Sequence, residues 1–189
     1  MTQRLSILGF GGSLRKGSFS SSLLRAAAGL APQNVNFEIF PLNDIPIYNT
    51  DLESDMPEPV RQFKQKIREA DALFIVTPEY NHSIPGFLKN AIDWASRPHG
   101  DNSFDGKPVA IMSESTGMLG GARAQYHLRQ TFIFLNIHAV NRPEVMVGNV
   151  ASKIDDQGNL TDEKTKDFIS QLLKALVDWT IQLNPKDAD

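Results

Sequence analysis

The strongest constraint on the fold is a repeated alternation of short apolar runs and amphipathic segments along the chain. Apolar runs typical of strands lie at residues 4–10, 35–40, 70–77 and 107–115, and a fifth consists of residues 137–140 with the residues beyond them. Segments with helical spacing lie at residues 20–30, 57–70, 87–95, in a stretch ending near 135, and at 160–179. Strands that alternate with helices favour right-handed crossovers and a parallel sheet covered by helices on both faces.

Five strand–helix units in 189 residues predict one domain that spans residues 1–189. The predicted fold is α/β: a flavodoxin-like three-layer sandwich around a five-stranded parallel sheet of order 2-1-3-4-5. Ligands of such sheets bind beyond the carboxyl ends of the strands, where the strand order reverses. Three loops of unusual composition follow the first, third and fourth strands, so we expect them to meet at one place.

The last predicted helix illustrates how its bounds and buried face are read from the sequence. Thr161 is the predicted N-cap of its first turn. The predicted apolar stripe consists of two rows at helical spacing: Phe168, Leu172 and Leu176, and Ile169, Leu173 and Val177.

The composition excludes several classes of function. A net charge of -3 argues against a nucleic-acid-binding surface, which is usually basic. The chain has no cysteine, which removes disulfides, thiolate nucleophiles and iron–sulfur sites, and its four histidines show no paired spacing, so we expect no metal. No apolar run approaches the roughly 20 residues of a membrane span. We therefore expect a soluble cytoplasmic protein without nucleic-acid or membrane partners.

The loop after the first strand has the features of a phosphate site. Its sequence "GFGGSLRKGSFSSS" combines small residues, serine hydroxyls near a helix start, and Arg15 and Lys16. Backbone N–H groups and the positive end of a helix dipole attract an anion, and Arg15 adds a charge-assisted hydrogen bond. The dinucleotide fingerprint fails because Leu14 replaces its third glycine, and the Walker motif fails because Ser18 replaces its lysine. The alternative is a flexible Ser/Gly loop with incidental basic residues.

The loop after the third strand, "PEYNHSIP" at residues 78–85, contains more proline, polar and aromatic residues than a simple connection between a strand and a helix requires. Prolines at both ends fix φ, so the loop can hold backbone polar groups against the edge of a planar heterocycle. Tyr80 adds an aromatic face, while Asn81 and Ser83 add polar groups. Packing of Tyr80, turn capping by Asn81 and a merely exposed His82 are the alternatives. An inward-facing acid would oppose a phosphorylated ligand, so Glu79 is expected to face a partner subunit or a neighbouring helix.

The loop after the fourth strand, "SESTGMLGGARAQ" at residues 113–125, again places small and hydroxyl residues between a strand and a helix. Ser115, Thr116 and Gly117 are expected to approach a ring closely. Gly120 and Gly121 serve either that approach or tight packing of the helix start. The first loop is thus predicted to bind a phosphate, and the other two loops are predicted to bind a flat ring with polar edges. Flavin mononucleotide (FMN) combines these two groups and is the predicted ligand.

Three segments resemble the NAD(P)H-dependent FMN reductases, in particular the quinone-, chromate- and azo-reducing flavoproteins. These are "GSLRKGSFS", "TPEYNHSIPGFLKNAIDWASR" and "GGARAQYHLRQ", within a match that runs from the first strand to about Gly148. The resemblance implies that the FMN phosphate is bound by Ser13, Arg15, Ser18 and Ser20. It implies that the isoalloxazine lies against Pro78, Glu79, Tyr80, Asn81 and Ser83, with Ser115, Thr116 and Gly117 nearby.

The resemblance also implies an activity and an assembly. Electrons would pass by a ping-pong mechanism from NADPH or NADH through FMN to a small acceptor: a quinone, an azo compound, chromate or flavin. The flavin carries this chemistry, so no catalytic side chain is expected. A homodimer or homotetramer is implied, with Arg123 and Glu144 as candidate interface residues. The rival interpretations are a flavodoxin-like electron carrier that oxidises no NAD(P)H and a flavin-free phosphate-binding module.

Overall fold

The computed structural model describes residues 4–184 and contains one sheet with helices on both faces. The strands are β1 (Leu5–Gly11), β2 (Val35–Ile39), β3 (Ala72–Pro78), β4 (Pro108–Glu114), β5 (His138–Ala139) and β6 (Val145–Val147). The helices are α1 (Phe19–Gly29), α2 (Glu58–Glu69), α3 (Gly86–Ala95), α4 (Ala122–Leu135) and α5 (Glu163–Leu183). Within residues 4–184, no helix has the length and apolarity that crossing a membrane requires.

The strand order is β2-β1-β3-β4-β5 with every pair parallel, which confirms the predicted order and fold class. The predicted fifth strand is wrong in one respect, because it is divided into two pieces. His138 pairs with Pro108 at the start of β4, and Val145 pairs with Met112 near its end. Pro143 lies between the two pieces and has no N–H group for the ladder, which agrees with the break.

The sheet separates two apolar cores, because successive side chains of a strand point to opposite faces. On one face, Leu73 and Ile75 of β3 pack with side chains of α2, α3 and α4 such as Phe63. On the other face, Phe74 and Val76 pack with α1 and α5. β3 and β4 are buried along their whole length, as expected of central strands in a parallel sheet.

The first turn of α5 differs from the prediction. Its N-cap is Asp162, whose carboxylate accepts a hydrogen bond from the backbone N–H of Thr165 at 3.0 Å. Thr161 instead donates its hydroxyl to the carbonyl of Lys153 at 3.1 Å. The predicted stripe is also too wide, because Phe168 is 41% exposed while Ile169, Leu172, Leu173 and Leu176 are buried.

Candidate functional site

The loop between β1 and α1 crosses the carboxyl end of the sheet and caps its own helix. The N–H of Gly12 donates to the carbonyl of Val76 in β3 at 2.7 Å, which ties the loop to the neighbouring strand. Ser18 is the N-cap of α1, and its hydroxyl oxygen accepts from the N–H of Ser21 at 3.1 Å. Arg15 is exposed, and its guanidinium lies over the ring of Phe19, 5.2 Å from the centroid. A cation therefore stands beside the start of α1, as the phosphate prediction requires.

The loop after β3 contains a two-residue turn. Tyr80 and Ser83 exchange backbone hydrogen bonds of 2.9 and 3.0 Å, and the two residues between them are left-handed: φ is 52° at Asn81 and 62° at His82. Asparagine tolerates this conformation, and Asn81 lies inside the turn rather than before it, which disagrees with the alternative in which it caps a following turn. The ring of Tyr80 is 51% exposed, and the hydroxyl of Ser83 lies 3.0 Å from Nδ1 of His127 in α4.

Glu79 faces a neighbouring helix, the second of the two positions expected for it. One carboxylate oxygen accepts from the backbone N–H groups of Arg123 at 3.0 Å and Ala124 at 3.2 Å. The other accepts from the guanidinium of Arg123 at 3.3 Å. The N-cap position of α4 is Gly121, which has no side chain with which to cap the helix. Glu79 therefore satisfies N–H groups that the helix itself leaves without partners.

The loop after β4 is fixed by its own hydrogen bonds. Ser115 donates its N–H to the carbonyl of Val147 at 3.1 Å, and its hydroxyl oxygen accepts from the N–H of Gly117 at 2.9 Å. A Cβ at Gly120 would lie 2.6 Å from the carbonyl carbon of Met146. Tight packing of the helix start, one of the two alternatives for Gly120, therefore explains this glycine.

The three loops converge on one cavity of about 210 Å³ at the carboxyl end of the sheet. Its walls include eight of the twelve predicted site residues: Ser13, Arg15, Ser18, Pro78, Glu79, Tyr80, Ser115 and Thr116. The other four lie in or beside the same loops but outside these walls: Ser20, Asn81, Ser83 and Gly117. The three loops therefore meet at one place, as predicted, and eight of the twelve predicted residues line the cavity.

Two further residues line this cavity and were missed by the sequence reasoning: Phe19 and Glu114. Glu114 is the last residue of β4 and only 5% exposed, and its Oε1 accepts from the hydroxyl of Ser20 at 2.8 Å. Burial raises the pKa of Glu114, while the hydrogen bond from Ser20 and the charge of Arg15 oppose that rise. An acid that ends a buried strand beside a candidate anion site was the available signal.

A larger cavity of about 490 Å³ lies at the opposite end of the sheet, at the amino ends of the strands. Leu5, Ala70 and Pro108 are among its walls. The ammonium of Lys107 donates there to the carbonyls of Ala70 at 2.6 Å and Arg68 at 2.8 Å, and burial lowers the pKa of this lysine. Because ligands of such sheets bind at the carboxyl ends of the strands, the smaller cavity is the candidate site.

The candidate interface residues have partners within the chain. Arg123 pairs with Glu79, and Glu144 accepts from the hydroxyl of Tyr126 at 3.1 Å. The homo-oligomer itself stays a prediction. Across the described part of the chain, residues 4–184, no group of three or more histidine, aspartate or glutamate side chains is arranged to hold a metal ion.

The fold and the cavity together define a flavodoxin-like α/β protein in which three loops at the carboxyl end of the sheet meet at one cavity beside the start of α1. The chain belongs to the NADPH-dependent FMN reductase family, which matches residues 5–152, and it is accordingly an oxidoreductase. The donor set fits the cofactor of that family, because a cation and a helix start suit a phosphate while an exposed tyrosine suits a flat ring.

Similar proteins have related activities in their names. An NAD(P)H-dependent FMN reductase of Pseudomonas aeruginosa is 48% identical over 184 residues, which cover 97% of this chain and 99% of the relative. A quinone reductase of Escherichia coli K12 is 44% identical over 179 residues, which cover 93% and 95%. The solved structure of a flavoenzyme NAD(P)H:(acceptor) oxidoreductase from Paracoccus denitrificans has a TM-score of 0.86 at 39% identity, covering 94% of this chain and 98% of that one.

Proposed function

We propose that this protein is an NAD(P)H-dependent, FMN-containing oxidoreductase that reduces quinones and related acceptors by a ping-pong mechanism. The observation that carries the proposal is the cavity at the carboxyl end of the sheet, where three separate loops contribute eight of the residues expected to hold FMN. Azo compounds, chromate and flavin are further candidate acceptors. The names of the similar proteins support reductase activity over a flavodoxin-like electron carrier.

The residues around the cavity divide into two roles in this proposal. The start of α1, with Arg15 and the serines of the same loop, would hold the phosphate. The turn at Tyr80 and the loop that begins at Ser115 would hold the isoalloxazine. The residues proposed to bind FMN are Ser13, Arg15, Ser18, Ser20, Pro78, Glu79, Tyr80, Asn81, Ser83, Ser115, Thr116 and Gly117.

The protein's part in catalysis is to bind and orient rather than to react. When bound, FMN would supply the redox chemistry, which is hydride transfer from the nicotinamide and two-electron transfer to the acceptor. The turn at Tyr80 is rigid because its two backbone hydrogen bonds and the contact of Ser83 with His127 fix it. Glu79 holds that loop against α4. A fixed loop keeps the ring position constant while nucleotide and acceptor alternate above it.

Replacement of Arg15 by alanine tests the phosphate assignment. Loss of a charge-assisted hydrogen bond is expected to weaken FMN binding about 10- to 100-fold. Turnover of the enzyme at saturating FMN should change much less, because Arg15 is proposed to hold the phosphate and not the reacting ring. Fluorescence titration of FMN measures the first quantity, and NADPH oxidation with a quinone measures the second.

The neighbouring Lys16 provides a matched control, because it is a cation of the same loop but is not among the residues that line the cavity. Lys16→Ala should leave FMN affinity within a few-fold of the wild type. Equal FMN affinity in the wild type and Arg15→Ala refutes the phosphate assignment. A protein that takes up FMN but oxidises neither NADPH nor NADH in the presence of a quinone is an electron carrier instead.

A further inference from the structure

Glu114 places a buried carboxyl group inside the proposed phosphate site. It lines the same cavity as Ser13, Arg15 and Ser18, and it is 5% exposed. Its Oε1 accepts from the hydroxyl of Ser20, a residue in the first turn of α1, at 2.8 Å. The carboxyl therefore lies at the helix end whose N–H groups and dipole attract a phosphate.

The carboxylate of Glu114 and a bound phosphate would both be stabilised by Arg15 and the start of α1. A phosphate monoester carries nearly two negative charges near neutral pH. Burial raises the pKa of Glu114, and the Ser20 hydroxyl and the charge of Arg15 are the groups that oppose this rise. A bound phosphate draws on Arg15 and the helix start and adds negative charge beside the carboxyl. Both effects disfavour the ionised form of Glu114 further.

We propose that Glu114 takes up a proton from solvent when the phosphate of FMN binds, so that FMN affinity falls as pH rises. This inference rests on the proposed FMN site. The carboxylate stabilises the start of α1 when the phosphate is not bound, and the neutral acid shares the site with the phosphate. Once protonated, the carboxyl has an O–H group that can donate to a phosphate oxygen while the other oxygen accepts from Ser20.

The other charged groups on the elements around Glu114 have partners elsewhere or lie at the surface. Among residues 4–184, Arg15 is the side chain whose charge opposes the rise in the pKa of Glu114. Two ion pairs involve the other charged groups: Glu79, which follows β3, pairs with Arg123 of α4, and Lys153 pairs with Asp162 at the start of α5. Arg25 of α1 donates to Ser22 and to the carbonyl of Gly158, and Lys16 is exposed. Glu114 is thus the group in this cavity whose proton balance the phosphate changes most directly.

The test compares FMN binding by the wild type and Glu114→Gln, both stripped of flavin, from about pH 5.5 to about pH 8.5. The glutamine keeps the shape and an oxygen that accepts from Ser20 but cannot titrate. FMN dissociation constants come from fluorescence quenching in phosphate-free buffers. Riboflavin, which has no phosphate, is the control ligand. Calorimetry in two buffers of different ionisation enthalpy counts the protons taken up between about pH 7 and about pH 8.5, where the FMN phosphate is mostly a dianion.

The expected result has two parts. The FMN dissociation constant of the wild type rises relative to that of Glu114→Gln by up to about tenfold per pH unit, while the two proteins show the same pH profile for riboflavin. The wild type also takes up more protons than Glu114→Gln at the same pH. The wild type alone must show a positive proton count at some pH in this interval, so the proposal can be refuted even if the variant fails to fold.

Two different failures are distinguishable. FMN binding by both proteins with parallel pH profiles and equal proton counts overturns the role of Glu114 but leaves the FMN site intact. Absence of FMN binding by the wild type at every pH overturns the proposed function, and the inference about Glu114 fails with it.

Discussion

The carboxylate of Glu79 acts as the cap of α4 from outside the helix, and this arrangement predicts a measurable loss of stability on its removal. It accepts from the backbone N–H groups of Arg123 and Ala124 at 3.0 and 3.2 Å, where Gly121 at the N-cap position supplies no acceptor. Its side chain is 12% exposed, so water replaces it poorly at these N–H groups. Glu79→Ala therefore leaves two helix donors unsatisfied.

The size of the effect follows from the kind of interaction lost. Removal of an N-cap side chain costs about 0.5–2 kcal/mol, and the partly buried position of Glu79 favours the upper half, about 1–2 kcal/mol. Glu79→Gln keeps an acceptor but loses the charge at the helix start, which costs about 0.3–1 kcal/mol. Arg123→Ala removes only the ion pair with Glu79, in which the arginine side chain is 46% exposed; such pairs contribute about 0–1 kcal/mol.

Urea unfolding of the flavin-free proteins, followed by circular dichroism, measures these differences directly. The expected order of destabilisation is Glu79→Ala first, then Glu79→Gln, with Arg123→Ala as the matched control for the ion pair. A loss below about 0.3 kcal/mol for Glu79→Ala refutes the capping role. A loss for Arg123→Ala that equals the loss for Glu79→Ala assigns the effect to the ion pair instead.

Three further predictions concern backbone conformation and helix capping, and urea unfolding tests each of them. His82→Gly should raise the free energy of unfolding by about 1 kcal/mol, because φ is 62° there and a side chain disfavours that conformation; His82→Ala should show no such gain. Gly120→Ala should lower it by about 1–3 kcal/mol, because the added Cβ would lie 2.6 Å from backbone and φ is 59°. Asp162→Ala should lower it by about 1 kcal/mol at neutral pH. Hydrogen bonding from Thr165 holds the pKa of Asp162 below its ordinary 3.8, so the advantage of the wild type over Asp162→Asn is complete above 3.8 and is lost as pH falls through the lowered pKa.

The sheet was predictable because its central strands are continuous apolar runs. Residues 70–77 contain nearly the whole of β3, and both faces of that strand are buried as a parallel sheet requires. The edge was less predictable. The fifth strand divides around Pro143, and apolar content alone gives no sign that β5 and β6 pair with opposite ends of β4. In α5, Phe168 has the spacing of a core residue but lies at the rim of the buried face.

In the candidate site, the positions of the loops were predictable from the sequence, but the hydrogen-bond partners of the two acids were not. The convergence of three loops follows from topology, so the sequence alone predicts that residues as far apart as Ser13 and Ser115 lie at one cavity, as they do. The partners of the acids depend on contacts between distant segments. Glu79 reaches across 44 residues to Arg123, and Glu114 reaches across 94 residues to Ser20. No local pattern specifies either pairing.

The two acids explain why the phosphate is proposed at the start of α1 and not at the start of α4. At α4, the carboxylate of Glu79 already accepts from two backbone N–H groups and pairs with Arg123, so an added phosphate would meet a satisfied helix end and a second anion. At α1, the acid is Glu114, whose burial disfavours its ionised form, and the cation Arg15 stands exposed beside it. A buried carboxyl whose ionised form is disfavoured can take up a proton beside a phosphate, whereas an ion-paired carboxylate stays charged and repels it. In the proposed FMN site, this difference favours the phosphate at the start of α1 over the start of α4, with the ring toward Tyr80.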